Sequence, residues 1–488
     1  MPADSCLVSV KARWLVPVDN ERRGYIDDGV IVFEKASGLI LFVGSQSELP
    51  SMIISEEVDL PGDQVLMPGL INMHSHSPMA LMKGFSEDLA LHEWLQEIWS
   101  AESKLVDDAF VKTGSELACH EMLLTGTTTF ADMYFRPQIT AEVAQRAGMR
   151  VALGEPILCF TEDVEDSELV ATPPDHLINC HLCEKCKNDK VTSSISSSCD
   201  CGCHTLSSHP ALVVPIETHK HITTNHSPLS TVSLLSPHAP YTVPNHLLKK
   251  IKQISDAYGG VRVNIHLQET EKETREHINK TGETPVRSLD RLGLLNDRLI
   301  AAHCVSLDDD DIKILGERKV NVVTCPKSNL KLASGICQVQ ALMHAGVNMC
   351  VGTDGCCSNN SLDLLGDLQW VSLLGKINPK DSTALDCLTV IRMATINGAK
   401  ALGLDRTIGS LEKGKQCDMI AVDFNDLTSQ PVIDPLSSVI HTSSGKKISQ
   451  VWIQGRRVVE DGQVKTFTVD MEALTRFKKA LVACKPKR

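Results

Sequence analysis

Between Val65 and Thr353 the chain repeats one pattern eight times: a short apolar run, a polar corner, then a helical stretch. The runs are Val65 to Met73, Thr127 to Met133, Arg150 to Leu158, Thr231 to Ser236, Arg262 to Leu267, Leu299 to Val305, Val320 to Cys325 and Asn348 to Thr353. The stretches between them include Ala109 to Leu124, Asn245 to Tyr258, Lys272 to Thr281, Asp309 to Arg318, Val339 to Ala345 and Leu362 to Leu374, each with apolar residues at i, i+3 and i+4. That spacing is the stripe of a helix with one face on a core. Eight such units predict an α/β chain folded as a (β/α)8 barrel of the TIM type, with its working groups at the C-terminal ends of the strands.

The two ends of the chain read differently. Cys6 to Leu15 alternates, and Val30 to Phe33 and Leu39 to Val43 are short apolar runs broken at Ser37-Gly38. After a helical pattern from Leu385 to Leu402, strand patterns return at Asp418 to Val422, Val451 to Ile453 and Val458 to Gly462, where Asp461-Gly462 suits a hairpin turn. Residues 1–64 and 405–488 are therefore expected to form one small split β-sandwich beside a barrel at 65–404. A segment at about 165–230 interrupts the barrel with a serine-rich stretch, six Cys and seven His, and too few branched apolar residues for a core; it reads as a mobile insertion.

Composition excludes several functions. Forty-eight Lys and Arg against 61 Asp and Glu leave a net charge of −13, which repels polyphosphate and argues against nucleic acid as a partner. No run of 18 uncharged apolar residues occurs, so no membrane partner or span is expected. The first twenty residues lack the apolar block of a secretory signal, which points to the cytoplasm and to reduced thiols for the 18 cysteines. Six of these crowd together as Cys180-x2-Cys183-x2-Cys186 and Cys199-x-Cys201-x-Cys203-His204. The cluster is either a structural zinc site or a disordered, lineage-specific insert.

The chemistry lies at the strand ends. His74-Ser75-His76 closes the first, and residues i and i+2 of a strand face the same way. Such a pair alone is common on surfaces. Here, however, His238, His266, His303 and Asp354 load the ends of the fourth, fifth, sixth and eighth strands, whereas histidines that merely fill a core would scatter over both ends of the barrel. Three imidazoles and a carboxylate suit one divalent metal, Zn2+ or Fe2+, with a position left for water whose pKa falls towards about 7. Glu269, three residues beyond His266, can reach across such a site as general acid/base. Its plainer reading is a helix N-terminal carboxylate set against the macrodipole, as for the acidic run Asp308 to Asp311.

These residues carry a resemblance. Pro68-Gly69-Leu70-Ile71-Asn72-Met73-His74-Ser75-His76, Ala301-Ala302-His303-Cys304 and Gly352-Thr353-Asp354-Gly355 resemble the motifs of the amidohydrolase superfamily. Within it, Glu87-Asp88-Leu89, Glu93-Trp94-Leu95, Gly126 to Tyr134 (GTTTFADMY), Pro237 to Val243 (PHAPYTV), Ser328 to Leu332 (SNLKL) and Ser358-Asn359-Asn360 resemble the 5-methylthioadenosine/S-adenosylhomocysteine deaminases. The likeness runs from about residue 5 to 465, apart from the insertion.

The resemblance implies His74, His76, His266 and Asp354 as ligands of a single metal, with no lysine bridging a second one. It implies Glu269 as proton shuttle, His303 as the group orienting hydroxide and the tetrahedral carbon, His238 as a residue facing the purine, and Glu102 as the holder of the ribose hydroxyls. The implied reaction is hydrolytic deamination of a small-molecule nucleoside to its inosine analogue and ammonia. Glu269 would protonate the ring nitrogen, and Asp354 the leaving amine. Guanine deamination, a chlorotriazine-type hydrolysis and a non-catalytic scaffold are the alternatives, and a homo-oligomer is an open expectation. One departure stands out: Glu155 occupies the place where some relatives carry an arginine for the homocysteine carboxylate, which favours 5′-methylthioadenosine over S-adenosylhomocysteine.

Overall fold

The computed structural model describes residues 6–21, 24–159, 230–377, 379–442 and 447–485. The insertion expected at about 165–230 therefore lies almost wholly outside the described residues, and so does the zinc site considered for Cys180 to Cys203.

Eight parallel strands follow one another around a nearly closed barrel: Leu70–Ser75, Thr127–Met133, Arg150–Gly154, Thr231–Pro237, Arg262–Leu267, Leu299–His303, Asn321–Thr324 and Asn348–Val351. Each is hydrogen-bonded to its sequence neighbour, as the eightfold rhythm predicts. The seam between the last strand and the first is bridged where the Asp354 amide donates to the His74 carbonyl at 2.9 Å. The chains approach so closely there that a Cβ on Gly352 would stand 2.7 Å from the His74 Cβ. Only glycine fits at that point.

The predicted first strand, Val65 to Met73, divides in two. Gln64–Pro68 pairs with Leu7–Leu15 and Met419–Asp423 in the other sheet, and the barrel begins at Leu70. Both halves are buried and apolar, so the residue pattern does not mark the crossing. Gly69 makes it, pressed so tightly on Thr128 that a Cβ would lie 2.2 Å from its hydroxyl.

The second sheet has nine strands, five from the N-terminal segment and four from the C-terminal one, joined where Gln64–Pro68 meets Met419–Asp423. Alternation sorts its side chains onto two faces. Val65, Met67, Ile420, Val422, Val451 and Ile453 join the barrel core, while Leu66, Met419, Ala421 and Trp452 turn the other way into the sheet's own core with Leu15, Ile31 and Phe33. Asp461 and Gly462 form the expected hairpin turn with φ of 50° and 68°, the left-handed pair that a two-residue turn of this twist requires.

Helices depart more from expectation. The pattern from Leu385 to Leu402 is two helices, Cys387–Met393 and Ile396–Leu402. Leu91–Leu105, Pro137–Ala147, Pro435–His441 and Met471–Cys484 are additional. The last of these packs on Asp108–Leu124, with the Phe477 ring edge-on to Phe110 at 5.3 Å. Among the described residues no helix is long and apolar enough to cross a membrane, and the twelve cysteines are unpaired.

One buried ion pair ties barrel to sheet. Arg150, at the start of the third barrel strand, donates through Nε and Nη2 to Asp418 at 2.5 and 3.1 Å, and Asp418 also accepts from the Gln454 amide at 2.8 Å. Both side chains are all but inaccessible, so removing one leaves a buried charge unpaired. Arg150→Met is expected to cost about 3–5 kcal/mol in a urea unfolding titration. A midpoint equal to that of the wild type would show that the pair contributes nothing.

Candidate active site

His74 and His76 point into the barrel mouth, and Ser75 between them points away, its hydroxyl donating to the Ala131 carbonyl at 2.8 Å and to Asp132 at 3.0 Å. Asp132, buried at the end of the second strand, also accepts from the Ser77 amide and hydroxyl at 2.5 and 3.0 Å. It thereby pins the turn after His76. Three of the rings are aimed by their outer nitrogens: His76 Nδ1 meets the Met133 carbonyl at 2.6 Å, His266 Nδ1 the His238 carbonyl at 2.7 Å, and His303 Nδ1 the Asn329 Oδ1 at 2.8 Å. With Nδ1 committed outward, Nε2 turns to the centre.

Asp354 completes the centre. Its Oδ2 accepts from the Ser328 and Ser358 hydroxyls at 2.6 and 2.9 Å. Its Oδ1 accepts from the Gly355 amide at 2.7 Å and faces Nε2 of His76 and His74 at 3.2 and 3.5 Å. Ligating atoms of His74, His76 and Asp354 fall within 4.8 Å of one another, and so do those of His74, His266 and His303. His266 Nε2 lies 3.4 Å from His76 Nε2. Asp354, His303 and Gln268 all hold left-handed backbone, with φ of 63°, 73° and 46°. Such strain persists only where surrounding structure imposes it.

The charges suit a cation. Burial opposes ionisation of Asp354, but the imidazoles beside it hold its carboxyl well below the usual range. His74 is pushed down to about 4 by burial, and neither of its buried ring nitrogens has a hydrogen-bond partner among the described residues. His266 is likewise driven well down by burial and by the surrounding rings. In His76 burial is outweighed by Asp354 and the Met133 carbonyl, which push the ring up to about 9, so a proton there answers the carboxylate. His74 and His266 are thus held neutral, and a divalent metal such as zinc would take the place of the His76 proton opposite the ionised carboxylate.

Around this cluster stand the other residues singled out from the sequence. Glu269 is buried, with Oε1 unpartnered among the described residues and Oε2 3.7 Å from His303 Nε2. Burial raises its pKa. The amides of Gln268 and Glu269 donate to the carboxylate of Glu273 at 3.1 and 2.8 Å. His238, pushed down to about 3 by burial and neighbouring rings, meets the Thr242 hydroxyl at 3.0 Å. Glu102 lies on the helix Leu91–Leu105 and is pushed up to about 7 by burial, against the pull of the Tyr134 hydroxyl, which donates to it at 2.6 Å. His76, His238, His266, Glu269, His303, Asp354 and Glu102 line one cavity, walled on one side by Trp94, Leu95, Ile98 and Trp99 of that helix; His74 lies beneath.

Glu155 is not part of this wall. Its carboxylate accepts from the Arg136 amide at 3.4 Å, while Pro156 and Leu158 line the cavity, and the Arg136 side chain pairs with Asp108. Glu155 therefore does not set the preference between 5′-methylthioadenosine and S-adenosylhomocysteine. Sequence reasoning also missed the partners Tyr134, Ser328, Asn329 and Ser358, although all four stand inside motifs that carried the resemblance.

Comparison with known proteins gives a consistent picture. A model of the amidohydrolase family matches residues 65–458. A Teredinibacter turnerae protein named 5-methylthioadenosine/S-adenosylhomocysteine deaminase is 38% identical over 461 residues, covering 94% of each chain. A Methanopyrus kandleri protein named 5′-deoxyadenosine deaminase is 35% identical over 90% of this chain and 91% of its own. The crystal structure of an adenosine deaminase from Xanthomonas campestris with bound zinc superposes with a TM-score of 0.83, at 32% identity and 99% coverage of both chains.

Ser328→Ala removes the shorter of the two bonds to Oδ2 and leaves only Ser358 to hold it, so affinity for zinc in a chelator competition is expected to fall roughly 10- to 100-fold, the usual worth of a group that orients a ligand. Unchanged affinity would remove Ser328 from the support of the site.

Proposed function

The chain belongs to the amidohydrolase family, and on that premise we propose a metal-dependent hydrolytic deaminase that converts an adenosine-type nucleoside to its inosine analogue and ammonia. The observation that carries this reading is one cavity in which a His/Asp metal cluster, the Glu269–His303 pair and the Glu102 carboxylate face a common space. His74, His76, His266 and Asp354 would hold the metal, most simply zinc, with iron as the other choice.

When bound, the metal acidifies a water molecule enough for it to act as nucleophile near neutral pH. Glu269 would take a proton from the attacking water and deliver it to the purine ring nitrogen next to C6, a shuttle favoured by the burial that raises its pKa. His303, its Nδ1 fixed by Asn329, turns Nε2 towards Glu269 and orients the incoming oxygen and the reacting carbon. Once water has added to C6, Asp354 would take the proton of the new hydroxyl and pass it to the amino group, so that the C6–N bond breaks and ammonia leaves. His238, kept neutral, faces the purine without placing a second positive charge beside the metal. Glu102 accepts from the ribose hydroxyls.

The substrates in the relatives' names, 5-methylthioadenosine, S-adenosylhomocysteine and 5′-deoxyadenosine, share the adenosine core and differ at the 5′ position. Among the described residues lining the cavity none is Lys or Arg, and Trp94, Leu95 and Ile98 form an apolar wall. An apolar 5′ end suits that wall better than a charged amino acid. Ammonia release should therefore be fastest with 5′-methylthioadenosine or 5′-deoxyadenosine, slower with S-adenosylhomocysteine, and absent with guanine or a chlorotriazine. Activity confined to the last two would overturn the proposal.

A second test isolates the shuttle. Glu269→Gln is expected to retain its metal by elemental analysis yet lose roughly 10²- to 10⁴-fold in turnover. Turnover like that of the wild type would exclude Glu269 from proton transfer.

A further inference from the structure

Glu102 is a carboxylate in an apolar setting. It projects from the helix Leu91–Leu105 with only 3% of its surface exposed, and among the described residues the Tyr134 hydroxyl is the one hydrogen-bond partner of its side chain, at 2.6 Å to Oε1. The Tyr134 ring is itself buried in a cluster with Trp94, Phe110, Leu332 and Cys357, and its backbone directly follows Met133 at the end of the second barrel strand. An ionised carboxylate offers about four acceptor sites, and a buried one left short of donors costs free energy. Here one oxygen is committed to the protein, and the rest of that acceptor capacity is unused.

Tyr134 commits more than Oε1. A phenol donating its hydrogen still has lone pairs on oxygen, and Glu102 and Tyr134 both line the same cavity, so together the pair has two kinds of acceptor to offer a ligand there, a carboxylate oxygen and a phenolic oxygen. A vicinal diol offers two donors on adjacent carbons and matches such a pair.

We infer that Tyr134 is a specificity-determining partner of Glu102, which orients the carboxylate so that the two side chains together read both hydroxyls of a ribose and reject deoxyribose; this rests on the reading of Glu102 as the sugar-binding group. Loss of one hydroxyl from the sugar, or of the phenol from the protein, leaves a buried acceptor without its donor, and discrimination of that kind is stronger than a shape fit provides.

The experiment measures kcat/KM for 5′-deoxyadenosine, 2′,5′-dideoxyadenosine and 3′,5′-dideoxyadenosine with the wild-type protein, Tyr134→Phe, Glu102→Gln and the double variant. Metal content and melting temperature are followed in each, and the phenylalanine keeps the ring that fills the core. Tyr134→Phe is expected to lower kcat/KM for 5′-deoxyadenosine roughly 10- to 100-fold, chiefly through KM, while changing the two dideoxy substrates by less than about threefold. The ratio of riboside to deoxyriboside then collapses, and the double variant is no worse than Glu102→Gln, because the two residues act as one unit. A Tyr134→Phe protein that loses activity equally on all three substrates, or on none, while Glu102→Gln abolishes the preference, overturns the inference and leaves the sugar role of Glu102 standing. Retention of the riboside preference by Glu102→Gln itself overturns that role, and the inference with it.

Discussion

A single buried negative charge organises the mouth of this barrel. An isolated carboxylate taken out of water is expensive, and it persists only where donors and opposite charge surround it. Asp354 has all of these: hydroxyls from Ser328 and Ser358 on one oxygen, the Gly355 amide and the facing imidazoles of His74 and His76 on the other. The same residue closes the barrel, since its amide bridges to the His74 carbonyl across the seam. Closure and charge placement are therefore one arrangement. Its left-handed backbone is held by contacts on both sides of the residue, and a tight approach at Gly352 leaves no room for the seam to shift.

That economy explains why so much of the centre was legible in the residues alone. Strand alternation puts His74 and His76 on one face, and a barrel delivers the ends of all its strands to one rim, so His238, His266, His303 and Asp354 converge without any knowledge of loops. The misses have physical causes too. The helix Leu91–Leu105 buries Trp94, Leu95, Ile98, Ala101 and Glu102 at helical spacing, but a rhythm of one helix per connection leaves no place for it beside Asp108–Leu124. The crossing at Gly69 is hidden because strands on both sides of it are fully buried. Glu155 does not face the cavity because the extended backbone there alternates its side chains, and Pro156 and Leu158 take the cavity side. Partners such as Tyr134 and Ser328 answer to no local period, because their roles arise from side chains that meet only in the folded barrel.

The division of labour in the cavity follows the layers of the fold. The metal cluster stands on barrel strands, the most constrained elements present, whereas the wall opposite stands on a helix outside the barrel. The helix Met471–Cys484 reaches the back of that helical layer from the far end of the chain, and Phe477 meets Phe110 there. The wall can therefore vary in sequence without disturbing the strand ends that carry the His/Asp cluster.

The two layers are nevertheless held at a fixed spacing, and the second barrel strand supplies the link. Its last residue, Met133, holds His76 by its carbonyl; the next, Tyr134, holds Glu102 by its hydroxyl. Adjacent residues of one chain are separated by a single peptide unit, so the His76 end and the Glu102 end of the cavity cannot drift apart independently. A reaction that requires C6 of a purine to meet the nucleophile depends on that spacing, because misplacing a bound substrate by about 1 Å forfeits much of the advantage of holding it. On the proposed reading Glu102, at the sugar, would thereby act on the chemistry through geometry, although it touches no reacting atom.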